Sequence, residues 1–309
     1  MPARVAHSPS PLLITTTTTA ASTQQQEEDV VNDMLRQLTA EELETAARST
    51  YAYGRRRRIN DEDPTAVVLQ QQQHECAAAM AQRYLVSKKG NVDKAMKKLK
   101  ATLQFRRENA IDTTTTTTFD NDDNKRLYHM LASTKKLYVA GRDKEGRATY
   151  VFVPRRVVDH DLQLTRQAHL WTLEKAIACT QSTDGTINAI VDFADFDGLR
   201  QAPPLANGKD MLTLLRDHYV GRVHRIYFVN TPKSIHWLWS LFSPFAGTAT
   251  KEKIVFVSQQ QQQSVLWDAY APDQVPASCM HGGTWDDATF AMDSFLRLLP
   301  FDQLLGDKC

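Results

Sequence analysis

Three short, almost wholly apolar runs, Ile187 to Val191, Ile226 to Val229 and Ile254 to Val257, limit most strictly what this chain can fold into. Each is too short for a helix of ordinary length and rich in β-branched residues, so each reads as a strand buried on both faces. Helix-patterned stretches, Met211 to Tyr219 and Ser234 to Leu241, lie between them, and another, Leu164 to Thr180, precedes them. Strand, helix, strand, helix, strand at this spacing is βαβ winding around a parallel sheet. Leu137 to Val139 and Ala148 to Val153 add two further strands, joined through Gly141 to Gly146, which has hairpin-turn composition. The expected fold class is α/β, with a mixed, largely parallel sheet and flanking helices.

The first third reads differently. Val92, Ala95, Met96, Leu99 and Leu103 fall on one helical stripe, with Asn91 placed to cap its start and basic residues crowding its end. A second helix is expected from Glu75 to Val86. Homopolymer tracts punctuate the chain: Thr15 to Thr19, Thr113 to Thr118, Gln259 to Gln263 and a smaller run at Gln70 to Gln73. Such tracts carry little apolar surface to bury. The domain organisation expected is a disordered tail over 1–30, a helical subdomain over 31–111, a low-complexity loop over 112–124 and an α/β domain over 125–300, closing with an amphipathic stretch from Phe290 to Leu299.

Composition narrows the function classes. The formal net charge is +1, so bulk nucleic acid is not an expected partner, and electrostatic roles fall to local clusters. Two such clusters are Arg55 to Arg58, followed by acidic residues, and Lys94, Lys97, Lys98 and Lys100 along the amphipathic helix. Each is either a solvated face or a surface for anionic lipid. Cys76, Cys179, Cys279 and Cys309 form no CxxC pair, so neither a zinc site nor a disulfide framework is expected. No stretch has the length and apolarity of a membrane span, and Pro11 to Ile14 is too short for a signal-peptide core. The N-terminus reads as a tail, with a transit peptide as the alternative.

Enzyme signatures are absent. Gly208-Lys209 has Pro203 where a phosphate-binding loop needs its first glycine. No GxGxxG follows a strand, and no GxSxG elbow exists. Asp195-Phe196-Asp197-Gly198 stands without the companion motifs of a kinase, and Asp159-His160-Asp161 reads as a solvated turn rather than a metal cluster. No catalytic residue, metal or cofactor is expected.

Several pieces, in order, resemble the CRAL-TRIO family, whose best-known members are phosphatidylinositol/phosphatidylcholine transfer proteins. They are Arg83-Tyr84-Leu85 with Lys88-Lys89 and Phe105-Arg106-Arg107, Gly141-Arg142-Asp143 to Gly146-Arg147, Ile190-Val191-Asp192, Tyr219 to Arg222, and Ile226 to Pro232. Trp239 to Phe245, Thr250 to Val257 and Gly282-Gly283 complete the set. The resemblance implies a non-enzymatic carrier that holds one lipid in a cavity, transfers or presents it at membranes, and resides in the cytoplasm with transient membrane association. The alternative is a lipid-sensing adaptor without net transfer. The implied partners are a lipid (a phospholipid, a sterol or another hydrophobic molecule) and a membrane surface.

A cavity for acyl chains needs apolar walls. Val151, Val153, Val191, Phe193, Tyr227, Val229 and Phe256 on the strands, and Trp237, Trp239, Phe242 and Phe245 on or after one helix, are the candidate walls and gate. Alternation alone does not separate a cavity wall from an ordinary sheet–helix core. The resemblance further places a phospholipid headgroup at Lys88, Thr250 and Lys253, whose ammonium and hydroxyl donors suit a phosphodiester. The family's inositol-contacting glutamate is replaced by Gly221.

Overall fold

The computed structural model describes residues 15–49, 66–114, 122–157, 161–197, 205–258 and 261–284. Four helices open it: α1 (Thr15–Arg36), α2 (Ala40–Arg48), α3 (Ala66–Ser87) and α4 (Val92–Glu108). Their apolar faces converge on a cluster that includes Met34, Ala77, Ala81, Tyr84, Leu99 and Leu103. Thr39 and Glu42 cap α2 reciprocally, and the Asn91 side chain accepts from the Lys94 amide at the start of α4. Of the expected α4 stripe, Ala95, Met96, Leu99 and Leu103 are buried and Val92 is half-buried.

The homopolymer tracts depart from expectation. The stretch expected as a disordered tail is helical from Thr15 onward, because Val31, Met34 and Leu35 anchor α1 in the helical cluster. Gln24 and Gln25 donate to Glu28 and Asp29 one turn on, which extends that helix outward. Gln70 to Gln73 lie within α3, whose start is earlier than the sequence suggests. The expected low-complexity loop is entered from both sides, by the short α5 (Ile111–Thr114) with Ile111 buried and by α6 (Asp122–Thr134). Polar tracts contain no Gly or Pro to stop a helix, so packed neighbours decide their state. Arg55 to Arg58 and Phe290 to Leu299 lie outside the described residues.

The sheet contains β1 (Leu137–Arg142), β2 (Ala148–Phe152), β3 (Ile187–Asp192), β4 (Val223–Val229) and β5 (Ile254–Val257), paired in that order. β1 runs antiparallel to β2, and every later pair is parallel. Helices α7 (Leu162–Cys179), α8 (Leu205–Asp217) and α9 (Lys233–Phe242) connect the parallel strands, followed by α10 (Thr248–Lys251) before β5 and α11 (Gln262–Ala269) after it. Gln262 and Gln263 thus open a helix rather than close a loop.

This strand order has a consequence for packing. Parallel crossovers are right-handed, and strands laid down successively in one direction put every crossover helix on the same face. α7, α8 and α9 therefore share one face of the sheet. The opposite face is closed by the chain after β5. There the Tyr270 ring packs against Tyr227 at 6.1 Å and its hydroxyl bonds Thr149 at 3.1 Å. Gly141 of β1 donates to the Gln274 carbonyl, and a Cβ at Gly141 would stand 2.8 Å from Gln274 backbone atoms, so only glycine permits this approach.

The helical unit is fixed to the sheet unit by buried polar contacts. The Arg106 guanidinium bridges Asp112 and, at 2.9 Å, Glu174 of α7, and Tyr219 donates to the same Glu174 at 2.6 Å. Glu174 is only 1% exposed, so this carboxylate needs those partners. Phe105 stacks on His218 at 3.8 Å, and Lys98 donates to the Arg216 carbonyl and to Asp217. Within the expected lysine cluster, Lys98 is thus tied to the protein and Lys100 lies 3.8 Å from Glu42, while Lys94 and Lys97 are exposed.

Candidate functional site

Strand register places two apolar rows on the helix-bearing face. Tyr150, Ala189, Ile226 and Ile254 are cross-strand partners in one row, and Phe152, Val191, Phe228 and Phe256 in the next. The three helices do not collapse onto these rows. A cavity of about 1190 Å³, counting its mouth, remains between sheet and helices. Thr165 and His169 of α7, Met211 and Leu215 of α8, and Ile235 and Trp239 of α9 form its roof. Each of these pairs is spaced four residues apart, which puts both members on one helix face.

α9 carries apolar residues on its other side as well. Trp237 is 61% exposed and Leu241 is 43% exposed, so two large apolar side chains meet solvent on the outside of the helix that roofs the cavity. Ile235 and Trp239 face inward, where Trp239 meets Phe228 edge-on at 5.8 Å.

The walls are almost entirely apolar, with one polar group of side chains among them: Lys136, Tyr150, Thr165, His169 and Asn207. The Tyr150 hydroxyl and His169 Nδ1 lie 2.5 Å apart. Burial, and then the neighbouring Lys136 charge, pull the His169 imidazole down to about 3, so the ring is neutral. The Asn207 amide nitrogen is buried and has no hydrogen-bond partner among the described residues.

Of the walls expected from sequence, Val191, Phe193 and Trp239 line this cavity. Val151, Tyr227 and Val229 are instead buried on the opposite face, where Val151, Ile190 and Tyr227 form a cross-strand row. Val153 continues the same alternation and is buried away from the cavity. The physical reason is the period of two: one-residue neighbours on a strand point to opposite faces. The side chains that sequence reasoning passed over, Tyr150, Phe152, Ile226 and Phe228, are those immediate neighbours. Phe256 shares the cavity face but supports the rim, edge-on to Phe228 at 5.3 Å and stacked with His236 at 4.6 Å. Trp237 points outward, and Phe245 sits under the Lys209 ammonium, 5.0 Å from its ring centroid. The Phe242 side chain lies outside the described residues.

None of the expected headgroup residues Lys88, Thr250 and Lys253 lines this cavity; Lys253 is one residue before the lining Ile254 and forms a basic rim with Arg225 and Arg83. Lys253 is half-buried and donates to the Val223 carbonyl. Burial, and then the Arg225 and Arg83 charges, hold its ammonium below the ordinary lysine value. Arg83, which sequence reasoning did not single out as a site residue, donates to the carbonyls of Gly221 and Asp184. Gly221 has φ +66°, a left-handed conformation suited to glycine. Thr250 lies in α10 just before Lys253, and Lys88 follows α3, where its charge bears on Lys98. Among the described residues there is no cluster of His, Cys, Asp or Glu able to hold a metal, and no helix long and apolar enough to cross a membrane. Cys76, Cys179 and Cys279 are buried and form no disulfide among the described residues.

Comparison with known proteins agrees with this geometry. A CRAL-TRIO domain-containing protein of Schizosaccharomyces pombe is 27% identical over 174 residues, 56% of this chain and 16% of that protein. The phosphatidylinositol transfer protein PDR17 of Saccharomyces cerevisiae is 26% identical, over 72% of this chain and 65% of its own length. This chain thus spans less than two thirds of either relative. The crystal structure of Sfh5 superposes with a TM-score of 0.59 at 14% identity, covering 84% of this chain and 88% of that one, which establishes the shared fold. The model of the CRAL/TRIO domain matches residues 132–282, the span that holds all five strands and the three helices over the cavity. Residues 132–282 of this chain are a CRAL/TRIO domain.

Proposed function

We propose that this chain holds one lipid between its sheet and helices α7 to α9 and transfers or presents it at membrane surfaces, without covalent chemistry. The observation that carries this reading is the almost wholly apolar cavity left between sheet and helices, space that a solid core would have filled. At about 25 cal/mol per Å² of apolar surface removed from water, burying a pair of long acyl chains contributes well over about 10 kcal/mol. The naming of PDR17 as a phosphatidylinositol transfer protein supports a phospholipid as cargo.

The gate is α9. Its inner face closes the cavity through Ile235 and Trp239, while Trp237 and Leu241 face out. A tryptophan and a leucine on one exposed face suit the interfacial zone of a bilayer, so the lid opens where water is scarce. Lys88, Thr250 and Lys253 take the phosphate of a phospholipid at the basic rim, where Arg225 and Arg83 add to the positive field around Lys253. The working compartment is the cytoplasm, with transient membrane association.

The test is transfer of a fluorescent phosphatidylinositol or phosphatidylcholine between donor and acceptor vesicles. Protein-dependent transfer, reduced at least tenfold by Lys253→Glu with the fold intact, is the expected result. Wild-type transfer by that variant removes Lys253 from the site. Ligand retention without exchange turns the reading into a lipid sensor.

A further inference from the structure

The polar side chains inside the cavity are not spread over its walls. Tyr150 lies on β2 and His169 and Thr165 lie one turn apart on α7, which packs over β1 and β2. Asn207 enters from α8, the helix beside α7. Every other lining side chain outside this group and Lys136 is apolar. A polar group in such surroundings needs a partner, and the protein does not provide one throughout.

Asn207 is the clearest case. The residue is 8% exposed, and its Nδ2, which carries two hydrogens, has no hydrogen-bond partner among the described residues. His169 complements it. The Tyr150 phenol, which burial keeps protonated, and His169 Nδ1 share a hydrogen bond. In the tautomer in which the phenol donates, the proton of the neutral ring is on Nε2, and histidine too presents a donor. The Thr165 hydroxyl adds a group that donates or accepts. The set is rich in donors and contains no carboxylate.

We propose that Asn207, His169 and Thr165 form an interior recognition site for the acceptor oxygen of a lipid, an acyl carbonyl or carboxylate. The site rests on the lipid-holding reading above and deepens it by naming what the cargo carries. It is separate from the basic rim: His169 meets β2 through Tyr150, and β2 is three strand spacings, roughly 14 Å, from β5, which Lys253 precedes. The cavity therefore orders its cargo from within, favouring a guest whose oxygen pairs with the Asn207 amide over plain hydrocarbon, which gains nothing there.

Displacement of a fluorescent lipid from the full chain tests this, with four competitors: a sixteen-carbon fatty acid, its methyl ester, the alkane of the same length, and a diacyl phosphatidylcholine. The expected result is that Asn207→Leu weakens carbonyl-bearing competitors by about tenfold and leaves the alkane unchanged, because only the donor is lost. Thermal stability of the variant is retained, since an unpaired amide has been replaced by a side chain of similar size. A loss confined to the fatty acid assigns the site to a free carboxylate; a loss shared with both esters assigns it to a carbonyl. Asn207→Asp, which replaces the donor by an acceptor, weakens the fatty acid further than Asn207→Leu does. Affinities of the fatty acid and of both esters that are unchanged relative to the alkane in Asn207→Leu overturn the interior site while the lipid cavity stands. Failure of all four competitors to bind the wild-type chain overturns both.

Discussion

The two faces of the sheet are built from the same strands and from similar side chains, yet one is filled and the other is hollow. On the filled face Val151, Ile190 and Tyr227 are met by Tyr270 and the chain that follows β5. On the hollow face Ala189 and Ile226 border open space, which Tyr150 crosses at one end to reach His169 of α7. Apolar composition does not decide which face is solid. What decides it is how closely the covering layer can approach. An extended segment lies against the strands through contacts such as Gly141 to Gln274. On the other face α7 packs over β1 and β2, while α8 and α9 leave the cavity between themselves and the remaining strands.

That contrast can be broken by mutation, most sharply with truncations. Ile190→Ala, on the filled face and fully buried, is expected to cost about 2–5 kcal/mol of unfolding free energy, because the void it leaves is new. Ile226→Ala, on the hollow face, is expected to cost about 1 kcal/mol, because its side chain already borders space. Urea denaturation of the two variants measures the difference, and equal costs contradict the asymmetry.

Additions reverse the test at a smaller scale. Gly141→Ala is expected to cost about 1–3 kcal/mol, because the new methyl meets the Gln274 backbone. Ala189→Leu projects into the cavity and is expected to change stability by less than about 0.5 kcal/mol while abolishing lipid retention. Thermal unfolding with extraction of bound lipid reads both effects.

Acid sharpens the contrast through His169. Folding holds this ring neutral down to a pH of about 3. The unfolded chain takes up the proton near the ordinary histidine value of about 6.5. Stability is therefore full above about 6.5 and declines as pH falls toward 3, by about 1.4 kcal/mol per unit in the middle of that window. His169→Gln is expected to flatten the part of the acid dependence that sets in between pH 6.5 and 5, seen in chemical denaturation across that range. The smallest stability effect is expected outside the gate: Trp237→Ala should lie within about 0.5 kcal/mol of wild type while slowing transfer between vesicles.

The sequence carried the fold further than the site. Nearly continuous apolar runs such as Ile187 to Val191 announce buried parallel strands, and the quoted pieces Ile190 to Asp192 and Ile226 to Val229 lie in two of them. The same runs hide the cavity. When both faces of a strand are apolar, alternation gives no sign of which residues face a hollow, and so Val151 and Tyr227 read as walls although Tyr150 and Phe228 are the side chains that line the cavity. The polar lining was harder to see. Lys136, His169 and Asn207 lie on three separate elements, and no spacing in the chain links them. The tracts misled for a different reason: Thr15 to Thr19 and Gln70 to Gln73 have no apolar pattern of their own and follow the helices they continue.

The central claim is that the space under α9 is made to be occupied by a lipid. Mass spectrometry of the full chain, compared under native and denaturing conditions, tests it most directly. The expected result is a native mass exceeding the denatured mass by that of one lipid, an excess that disappears in Ala189→Leu. A native mass equal to that of the bare chain, unchanged after incubation with phospholipid vesicles, would contradict the account.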